Sequence, residues 1–315
     1  MARHSAVSHS DQIAQAVSAG AAARSPVVAS WSRSARLHHL EPERELQPHR
    51  VEEGELLRHR DKLGHLLLAA QESLDHVSRL VAHAGCSVVI ADREGIVLER
   101  RSLASDEAMF RDWGLWVGAD WSERSQGTNA IGTALVEDRP VVIHRDQHFL
   151  QRNTVLSCMT APIHDEYGEL SAVIDVTTCK GEFSEDMARM ICAIATDAAH
   201  RIEKVNFSAA FATCRILTLP EDAGKPPVLL AIDKHDMVVG ATRAARQIFS
   251  LQRARDINVP APDLLGADGA DRDTFEDAER GVILRALQKN DNNMSRTAKA
   301  LGMSRATLYR KLSQP

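Results

Sequence analysis

The side chains best suited to metal chemistry lie near the middle of the chain. His144, Asp146 and His148 alternate in sequence, and His164 is followed directly by Asp165. Imidazole nitrogens and carboxylate oxygens are common ligands of zinc and related ions. Alternate residues of a strand share a face, so His144 and Asp146 can converge, but the pattern supplies no established third ligand. We therefore predict no metal site and no cofactor.

The five cysteines are odd in number and scattered, and no two of them form a CxxC pair. This spacing argues against a disulfide framework and against a zinc knuckle. We expect reduced, mostly buried thiols. A redox-sensing thiol stays open as an alternative, although no cluster of basic neighbours supports it. The cysteines are Cys86, Cys158, Cys179, Cys192 and Cys214.

A segment rich in tryptophan and glycine predicts a ligand pocket. Three of the four tryptophans fall within nine residues, 113–121. Their rings can wall an apolar pocket, while Gly127 and Gly132 let the backbone approach a ligand. The same residues also suit ordinary packing and turn formation, and the sequence leaves both interpretations open. The candidate wall residues are Phe110, Trp113, Trp116 and Trp121, and the candidate polar anchors are Glu123, Thr128, Asn129 and Thr133.

Residues 292–312 predict two short helices joined by a tight turn. Ser295 can cap a helix that runs through Ala300. Gly302 suits the turn, and Ser304 can cap a second helix that ends at Ser313. The residues expected to face inward are Ala298, Leu301, Met303, Leu308 and Leu312, and those expected to face outward are Arg296, Arg305, Thr307, Tyr309, Arg310 and Lys311.

The charge of the chain is divided unevenly. Residues 280–315 contain eight lysines and arginines and one acid, Asp291, for a local net charge of +7, whereas the whole chain carries −5. The rest of the chain is therefore acidic, with a net charge of −12. A basic helical pair at one end predicts a polyanionic partner, and double-stranded DNA fits best.

Two helices with long apolar repeats are predicted on either side of the central region. Residues 51–84 show a heptad spacing, and residues 185–212, capped by Ser184, repeat the pattern. Either helix could pack on its own sheet, but a parallel contact between two chains is favoured because one DNA-reading head binds weakly. The repeats are Leu56, Leu63, Leu67, Ala70, Leu74, Val77 and Val81, and then Met187, Ile191, Ile194, Ala198, Ile202 and Val205.

Between these helices the apolar period changes to two, which predicts an antiparallel sheet of about five strands. Turn-forming residues at 92–95 and 165–168 each join two of the strands. With helices on one face of the sheet, the fold class is α+β. The predicted strands are 86–91, 96–101, 139–144, 158–164 and 170–177.

The length of 315 residues suits two or three domains. No segment has the apolar length of a membrane span, and the first 25 residues lack the apolar centre of a signal peptide. We expect a cytoplasmic protein without a membrane partner. Residues 1–25 are predicted to be a disordered leader and residues 26–73 an N-terminal helical segment.

Residues 275–315 resemble the Fis-type helix-turn-helix that closes enhancer-binding transcription regulators. The resemblance implies that the second helix enters the major groove, with two subunits reading a palindromic site. It places Ser304, Arg305, Thr307 and Arg310 near bases or phosphates, and Asn293, Ser295 and Lys311 at the DNA backbone. The preceding helix, about residues 275–289, carries the stripe that pairs subunits in that family: Ala278, Val282, Ile283, Leu284 and Leu287.

The run from Trp121 to Leu135, with the later Asp175-Val-Thr-Thr, resembles the GAF sensor domain of the acetoin-catabolism regulator family, over residues 74–206. The resemblance implies a small-molecule pocket without naming its occupant; acetoin, a diol, an alcohol or an aromatic compound are all compatible. The lining residues that it implies are Trp121, Glu123, Thr128, Asn129, His144, Cys158 and Asp175.

Residues 207–250 contain a strand, an Asp-containing turn, a second strand and an Ala-rich helix, which resembles the opening of a PAS domain. They are too few for a complete domain, so a PAS-like remnant is expected. Residues 251–274, rich in proline, glycine and aspartate, are predicted to form a flexible linker.

Full-length members of the regulator family carry an AAA+ ATPase between sensor and helix-turn-helix, with a GxxxxGK[ST] loop and a GAFTGA segment. Neither motif occurs in this chain, and Gly224-Lys225 is followed by Pro226. The resemblance therefore implies regulation by binding, without ATP hydrolysis and without another enzymatic activity.

These features predict a homodimeric, ligand-responsive regulator that binds an inverted repeat in double-stranded DNA. One alternative is a truncated partner or antagonist of a full-length sigma-N enhancer-binding activator, in which case RNA polymerase or that activator is its protein partner. A second alternative is a GAF-type redox enzyme like those that repair free methionine sulfoxide, with Cys86, Cys158 or Cys179 as its nucleophile. The cysteine spacing and the DNA-binding tail argue against that enzyme.

Overall fold

The computed structural model describes residues 8–19, 25–45, 47–181, 183–219, 224–251, 257–265, 282–283, 286–287, 289–290 and 293–313. Its contacts divide the chain into two compact units. The first comprises Met1–Asp165, Glu169–Phe207 and Asp222–Pro226, and the second comprises Glu166–Gly168, Ser208–Glu221 and Pro227–Pro315.

The described residues form helices and strands that are numbered separately, each in chain order. The helices are α1 His9–Ser18, α2 Pro26–Ser32, α3 Glu53–Leu63, α4 His65–Val81, α5 Glu107–Asp112, α6 Glu123–Gln126, α7 Ala130–Glu137, α8 Glu185–Ala210, α9 Arg243–Ile248, α10 Ala261–Leu265, α11 Met294–Ala300 and α12 Arg305–Ser313. The strands are β1 Cys86–Asp92, β2 Val97–Arg101, β3 Val141–His144, β4 Ser157–His164, β5 Leu170–Thr178, β6 Arg215–Thr218, β7 Leu229–Ile232, β8 Met237–Ala241 and β9 Val259–Pro260.

The first unit is built on a five-stranded antiparallel sheet with the strand order β2-β1-β5-β4-β3. This confirms the predicted α+β architecture. The central strand β5 pairs with both neighbours, so that Asp175 lies opposite Val89 on β1 and opposite Thr160 on β4. Because side chains alternate across a strand, these three residues point to the same face of the sheet.

The other face of the sheet is covered by α4 and α8, whose apolar repeats fill a shared core with the sheet. Leu67, Leu74 and Val77 of the predicted heptad are buried there, so they pack on their own sheet and are not free to contact a second chain. The helix predicted over residues 51–84 is in fact two, α3 and α4. It breaks at Gly64, whose φ of +44° is a conformation that glycine adopts at little cost.

Helix α8 begins at the predicted residue, because the Ser184 hydroxyl accepts a hydrogen bond of 3.2 Å from the backbone N–H of Met187. Ile191 and Ile202 of its repeat are buried against the sheet. Met187 and Val205, at the two ends of that repeat, are exposed. The apolar repeat of α8 therefore contributes only some of its residues to the core.

Helices also cover the second face of the sheet, where none is predicted from the sequence. Phe110 of α5, Ala130 and Ile131 of α7, and the preceding Trp121 form a second buried core with Val89 and other residues of that face. The prediction of helices on one face is wrong, because apolar residues on both sides of β1, β4 and β5 require cover.

The predicted disordered leader, residues 1–25, is wrong for α1. Ser8 caps this helix through the backbone N–H of Asp11, and Ile13 is buried in a small core beside Phe149 and Leu150. One apolar residue and one capping residue give only a weak prediction of a helix. The contact with Phe149 and Leu150 that stabilises α1 is distant in sequence and cannot be predicted from it. Residues 1–7 and 20–24 lie outside the described part of the chain.

The second unit contains a four-stranded antiparallel sheet with the order β6-β7-β8-β9. Strand β9 and helix α10 lie inside the predicted flexible linker, residues 251–274, and Ile257 and Ala261 are buried in the core of this sheet. The linker prediction is therefore wrong for residues 257–265, and the small domain extends past its predicted end at residue 250. Residues 252–256 and 266–274 lie outside the described ranges.

The last two helices, α11 and α12, form a helical pair with its own small core. Ala298 and Leu308 are buried in it together with Ile283 and Leu287. Ile283 and Leu287 belong to the predicted subunit-pairing stripe, but they pack within the chain. Val282 of the same stripe is exposed. Ala278 and Leu284 of that stripe lie outside the described residues. None of the described helices is long and apolar enough to cross a membrane.

Candidate effector and DNA-binding sites

The loop that carries α6 and α7 is held by caps and by close packing. Asn129 caps α7 by accepting a hydrogen bond of 2.9 Å from the N–H of Gly132, and it donates to the carbonyl of Gly127 at 2.8 Å. A Cβ on Gly132 would lie 2.4 Å from the backbone nitrogen of Glu123, so only glycine lets α6 and α7 approach this closely. Asn129 therefore acts on the backbone, although the sequence suggested a ligand contact.

The other polar anchors of this loop bind the N-terminal segment. The hydroxyl of Ser30 in α2 lies 2.5 Å from Oε1 of Glu123, 2.8 Å from Oγ1 of Thr128 and 3.2 Å from Oγ1 of Thr133. Arg33 adds a bidentate ion pair, with Nε 2.8 Å from Oε2 and Nη2 2.8 Å from Oε1 of Glu123. We call these five residues the Ser30 cluster. Its carboxylate already accepts three hydrogen bonds, so the predicted ligand anchors serve the chain itself.

Sequence reasoning missed Ser30 and Arg33. The signal available was the run Ser-Trp-Ser-Arg-Ser at residues 30–34, whose polar residues recur three and four apart and share a helical face. Trp31 also donates to the carbonyl of Gln147 at 2.8 Å, and Arg33 reaches Glu137 at 2.9 Å. The segment is thus fixed to the sensor at several points.

A second polar group lies on the face of the sheet that packs against α7. Asp175 is fully buried, and its carboxylate accepts hydrogen bonds from Thr160 at 2.5 Å and Thr177 at 2.6 Å. Burial is the main cause that raises the pKa of Asp175 to about 6, and the two hydroxyls oppose that shift. Its proton is therefore held more tightly than that of an ordinary aspartate.

Cys158 and His148 adjoin this group, and with Asp175, Thr160 and Thr177 they form what we call the Asp175 cluster. His148 Nδ1 lies 3.0 Å from the carbonyl of Arg145, which can only accept, so Nδ1 carries the proton. Nε2 is then an acceptor for the Cys158 thiol, 3.4 Å away. Burial lowers the pKa of His148 to about 4 and raises the pKa of Cys158, so this is a neutral imidazole beside a protonated thiol.

The aromatic residues of the predicted pocket separate into two groups. Phe110 and Trp121 are buried in the core that faces the Asp175 cluster, and Trp121 Nε1 donates to the carbonyl of Gly114 at 3.0 Å. Trp113 and Trp116 are only half-buried. The guanidinium carbons of Arg100 and Arg111 lie 4.1 Å and 4.0 Å from the centroid of the Trp116 ring, and that of Arg152 lies 5.4 Å from the centroid of the Trp113 ring. These two rings therefore contact cations, and Trp113 also packs against the core that contains Phe110 and Trp121. Their contact with a ligand stays a prediction.

His144 lies apart from Asp175. Its Nδ1 is 2.8 Å from the Ser157 hydroxyl, and partial burial lowers the pKa of its ring. The His144-x-Asp146-x-His148 run does not bring its ring nitrogens to a common point, because His148 contacts Arg145 and Cys158 instead.

Only one group of donors with metal-ligand spacing occurs among the described residues, and it involves His59, Asp92 and Glu94. His59 Nδ1 lies 2.5 Å from Asp92 Oδ2, and Lys62 pairs with Glu94 at 3.1 Å. Oδ1 of Asp92 accepts from the backbone N–H groups of Glu94 and Ile96. These partners tie α3 to the turn between β1 and β2.

The helical pair at the end of the chain has the capping and turn geometry of a helix-turn-helix. Ser304 caps α12 by accepting from the N–H of Thr307 at 3.1 Å, and Gly302 has a φ of +64°. The predicted cap of the first helix is wrong. Asn293 caps α11, with its side-chain oxygen 3.1 Å from the N–H of both Ser295 and Arg296. Both residue types are good caps two positions apart, so the local sequence did not decide between them.

Cationic and polar residues line the exposed side of this pair. Arg305 projects from the first turn of α12, and Tyr309 and Arg310 follow one helical turn later. Side chains of this kind on the second helix suit major-groove contacts, and those at the start of the first helix suit phosphate contacts. The predicted DNA-binding residues that are exposed are Asn293, Ser295, Arg296, Ser304, Arg305, Tyr309 and Arg310, and those that are half-buried are Thr307 and Lys311.

Two segments of the chain match known protein families. The GAF domain model matches residues 65–202, and the model of bacterial regulatory proteins of the Fis family matches residues 274–314. The chain therefore contains a GAF domain followed by a helix-turn-helix of the Fis family of bacterial regulatory proteins.

Two curated relatives are named as regulators of acetoin metabolism. The acetoin catabolism regulatory protein of Cupriavidus necator is 30% identical over 221 residues, which are 69% of this chain and 33% of that protein. AcoR, the acetoin dehydrogenase operon transcriptional activator of Bacillus subtilis, is 29% identical over 154 residues, 49% of this chain and 25% of that protein. The chain thus spans between a quarter and a third of the length of these relatives.

A solved structure has a similar fold. It is a chain of the crystal structure of the E. coli DhaR(N)-DhaL complex, with a TM-score of 0.53 and 16% sequence identity. The match covers 76% of this chain and 80% of that chain. At this identity the likeness concerns the fold alone.

Asp175→Asn is expected to stabilise the chain at high pH and to change little at low pH. The folded-state pKa of about 6 lies above the ordinary value of 3.8, so the folded form binds this proton more tightly and wild-type stability falls as the pH rises from about 4 to 6. Asparagine has no proton to lose, so the variant should gain about 2 to 3 kcal/mol in free energy of unfolding at pH 8.

Urea unfolding followed by far-ultraviolet circular dichroism, at pH 4 and pH 8, measures this difference. His148 titrates in both proteins and cancels. A gain of equal size at both pH values would contradict the assignment, because it would reflect packing and not the proton of Asp175.

Proposed function

We propose that this regulator binds a small uncharged metabolite in the core between α7 and the sheet, and that two copies of it bind an inverted repeat in DNA. The observation that carries the proposal is the joining of an apolar sensor core with buried polar groups to a helical pair whose exposed side is cationic. The relative from Cupriavidus necator is named as a regulator of acetoin catabolism, and the one from Bacillus subtilis as an activator of an acetoin dehydrogenase operon. These names support a metabolite about the size of acetoin.

The Asp175 cluster is the part of the sensor best suited to an effector. It combines a carboxyl, two hydroxyls, a thiol and a neutral imidazole within an apolar core that includes Phe110 and Trp121. Binding sites for small molecules combine an apolar lining with a few polar groups that fix the orientation of the ligand. The Ser30 cluster, in contrast, holds the N-terminal segment against α6 and α7.

His164 offers a path from the effector core to α8. Its Nε2 lies 2.8 Å from Asp138, the residue that follows α7, and its Nδ1 lies 2.7 Å from Glu203 in α8. A displacement of α7 by an effector would therefore be transmitted to α8 through one imidazole ring. We propose that this movement changes the spacing of the two reading heads.

The surface that joins two copies must differ from the predicted heptad seam, since that seam is buried. Apolar residues remain on the outer side of both long helices, where Leu68 is 71% exposed, Leu80 56% and Met190 58%. Large apolar side chains at this exposure favour a second chain as their cover. Light scattering that shows a monomer at micromolar concentration would contradict this part of the proposal.

We propose regulation by binding alone, since the AAA+ motifs of full-length relatives do not occur between the two domains of this sequence. Because the relatives are much longer, the alternative of a partner or antagonist of a full-length activator stays open. Mixed dimers with such an activator, detected by co-purification of two differently tagged chains, would favour the alternative.

Arg305→Ala is expected to weaken sequence-specific DNA binding strongly. A bidentate contact from arginine to guanine contributes about 1 to 3 kcal/mol, so affinity for the operator should fall about tenfold to a hundredfold. The measurement is selection of fragmented genomic DNA by the purified chain at two salt concentrations, followed by sequencing. Specific fragments that share an inverted repeat should be retained by the wild type and lost in the variant.

The matched control is Arg93→Ala, which removes one exposed arginine from the turn between β1 and β2, outside the helical pair, and should leave retention unchanged. Diffuse retention that disappears at the higher salt, with no shared sequence, would overturn site-specific binding and leave only a general electrostatic attachment.

A further inference from the structure

Two buried carboxamides in the sensor unit have unused hydrogen-bonding groups. Asn153 is 1% exposed, and within the described part of the chain neither its Nδ2 nor its Oδ1 has a hydrogen-bond partner. Gln126, also 1% exposed, has an Oε1 without a partner among the same residues. Buried polar groups in folded proteins are nearly always hydrogen-bonded, so three unsatisfied atoms on two side chains require an explanation.

The two carboxamides lie on neighbouring turns. Gln126 ends α6, and Asn153 lies in the 3-10 turn Gln151–Val155. The turns meet at Phe149, whose N–H donates to the carbonyl of Thr128 at 3.1 Å and whose side chain leaves room only for glycine at residue 127. Leu150 and Leu156, on either side of Asn153, are fully buried.

The Asn153 side chain does not build its own turn. The turn is closed by backbone bonds, from the N–H of Asn153 to the carbonyl of Leu150 and from the N–H of Leu156 to the carbonyl of Asn153, both at 2.9 Å. An asparagine in a turn usually bonds to nearby backbone, and Asn129 and Asn293 in this chain do so. Asn153 therefore keeps one donor group and one acceptor group available in a buried place.

We infer that Asn153 is an anchor for the effector, with Gln126 as a second contact, and that the effector is an uncharged molecule carrying both an acceptor oxygen and a hydroxyl. The acceptor oxygen receives a hydrogen bond from Nδ2 of Asn153, and the hydroxyl donates to Oδ1. A carboxamide has no charge with which to offset an ionised ligand in a buried site, so an uncharged ligand is favoured over a carboxylate or an ammonium ion. This inference rests on the proposed sensing of a small metabolite and names a ligand class for it. Leu156, three residues after Asn153, belongs to the same apolar core as Phe110 and Trp121. We therefore add Asn153 and Gln126 to the Asp175 cluster as contacts of that one effector.

The inference gives Asn153→Leu two effects of opposite sign. Without any ligand, the variant should be more stable than the wild type, because leucine has a similar size and leaves no polar atom unsatisfied. Effector binding should be weakened at least about tenfold, because the directional contacts are lost. A residue with a merely structural role would lose stability on this replacement.

The test uses the full chain and three probes of similar size. Acetoin has a carbonyl and a hydroxyl, butanone has the carbonyl alone, and lactate has the hydroxyl with a carboxylate. Thermal unfolding at increasing probe concentration gives an apparent Kd for each, and urea unfolding without probe gives stability. In the wild type, acetoin should raise the unfolding temperature, butanone should act more weakly, and lactate should have no effect.

Two further variants keep the test decisive. Gln126→Met removes the second carboxamide with little change of shape and should also raise the urea midpoint, so the inference does not depend on one variant folding. Gln151→Met changes an exposed glutamine of the same 3-10 turn and should alter neither stability nor probe binding.

Three results would overturn the inference. They are a lower urea midpoint for both Asn153→Leu and Gln126→Met, an acetoin response that survives in Asn153→Leu, and a wild type that responds to lactate or to none of the three probes. DNA retention by the wild type is independent of these results. A specific operator with any of them would leave the proposed regulator standing and remove only this effector site.

Discussion

Glu123→Ala is expected to lower the free energy of unfolding of the sensor by about 3 kcal/mol, the lower end of the range for breaking a buried ion pair. The side chain of Glu123 is 2% exposed, whereas that of its partner Arg33 is 25% exposed and keeps a second carboxylate in Glu137. Water and Glu137 therefore compensate part of the loss at Arg33. The buried Ser30 hydroxyl loses its carboxylate acceptor and keeps only the hydroxyls of Thr128 and Thr133 as partners.

Urea unfolding followed by circular dichroism measures this loss, and limited proteolysis reports where the chain opens. The N-terminal segment should become the first site of cleavage, because Ser30 and Arg33 are its main polar attachments to α6 and α7. Glu137→Ala is the matched control, since it removes the more exposed carboxylate of the same arginine and should cost less than about 1 kcal/mol. Equal losses in the two variants would show that the Ser30 cluster does not attach the segment.

Glu203→Ala is the second variant with a large expected effect, a loss of about 2 to 3 kcal/mol. One oxygen of Glu203 accepts both the backbone N–H of His164, at 2.8 Å, and the ring nitrogen Nδ1, at 2.7 Å. The opposite ring nitrogen faces Asp138 at 2.8 Å. The alanine variant removes the acceptor of the backbone N–H and the partner of Nδ1, two buried polar groups beside α8.

Glu203→Gln is the control for this site. Its amide oxygen can still accept from the backbone N–H of His164, so its loss in urea unfolding should be clearly smaller than that of the alanine variant. Amide hydrogen exchange at the end of β4 should be faster in Glu203→Ala than in Glu203→Gln. If the two variants have the same stability, the hydrogen bonds of His164 do not connect β4 with α8.

Local patterns in the sequence predict most of the secondary structure. The alternating apolar runs locate all five strands of the first sheet, and the cap at Ser304 and the glycine at residue 302 locate the turn of the helix-turn-helix. These features depend on neighbours a few residues away. The heptad spacing of α4 is real but ambiguous, because a stripe that fits a partner helix fits the chain's own sheet equally well.

The contacts of the candidate sites could not be predicted in this way. Ser30 meets Glu123 across 93 positions of sequence, and His164 meets Glu203 across 39. No periodic pattern encodes such pairs, so the sequence assigns Glu123 and Thr128 to a ligand although they bind α2. Asn153 could not be singled out either, because an asparagine in a loop is ordinary. Its unusual property is that its side chain has no hydrogen-bond partner among the residues that the structure describes.

All four tryptophans, Trp31, Trp113, Trp116 and Trp121, belong to the first unit. The tryptophan fluorescence of the chain therefore reports on the sensor and is silent on the helix-turn-helix. Emission and far-ultraviolet circular dichroism are then two separate probes of one unfolding experiment. If their transitions coincide, sensor and DNA-binding part unfold as one cooperative body, and if the dichroism signal changes first, the helix-turn-helix melts while the sensor stays intact.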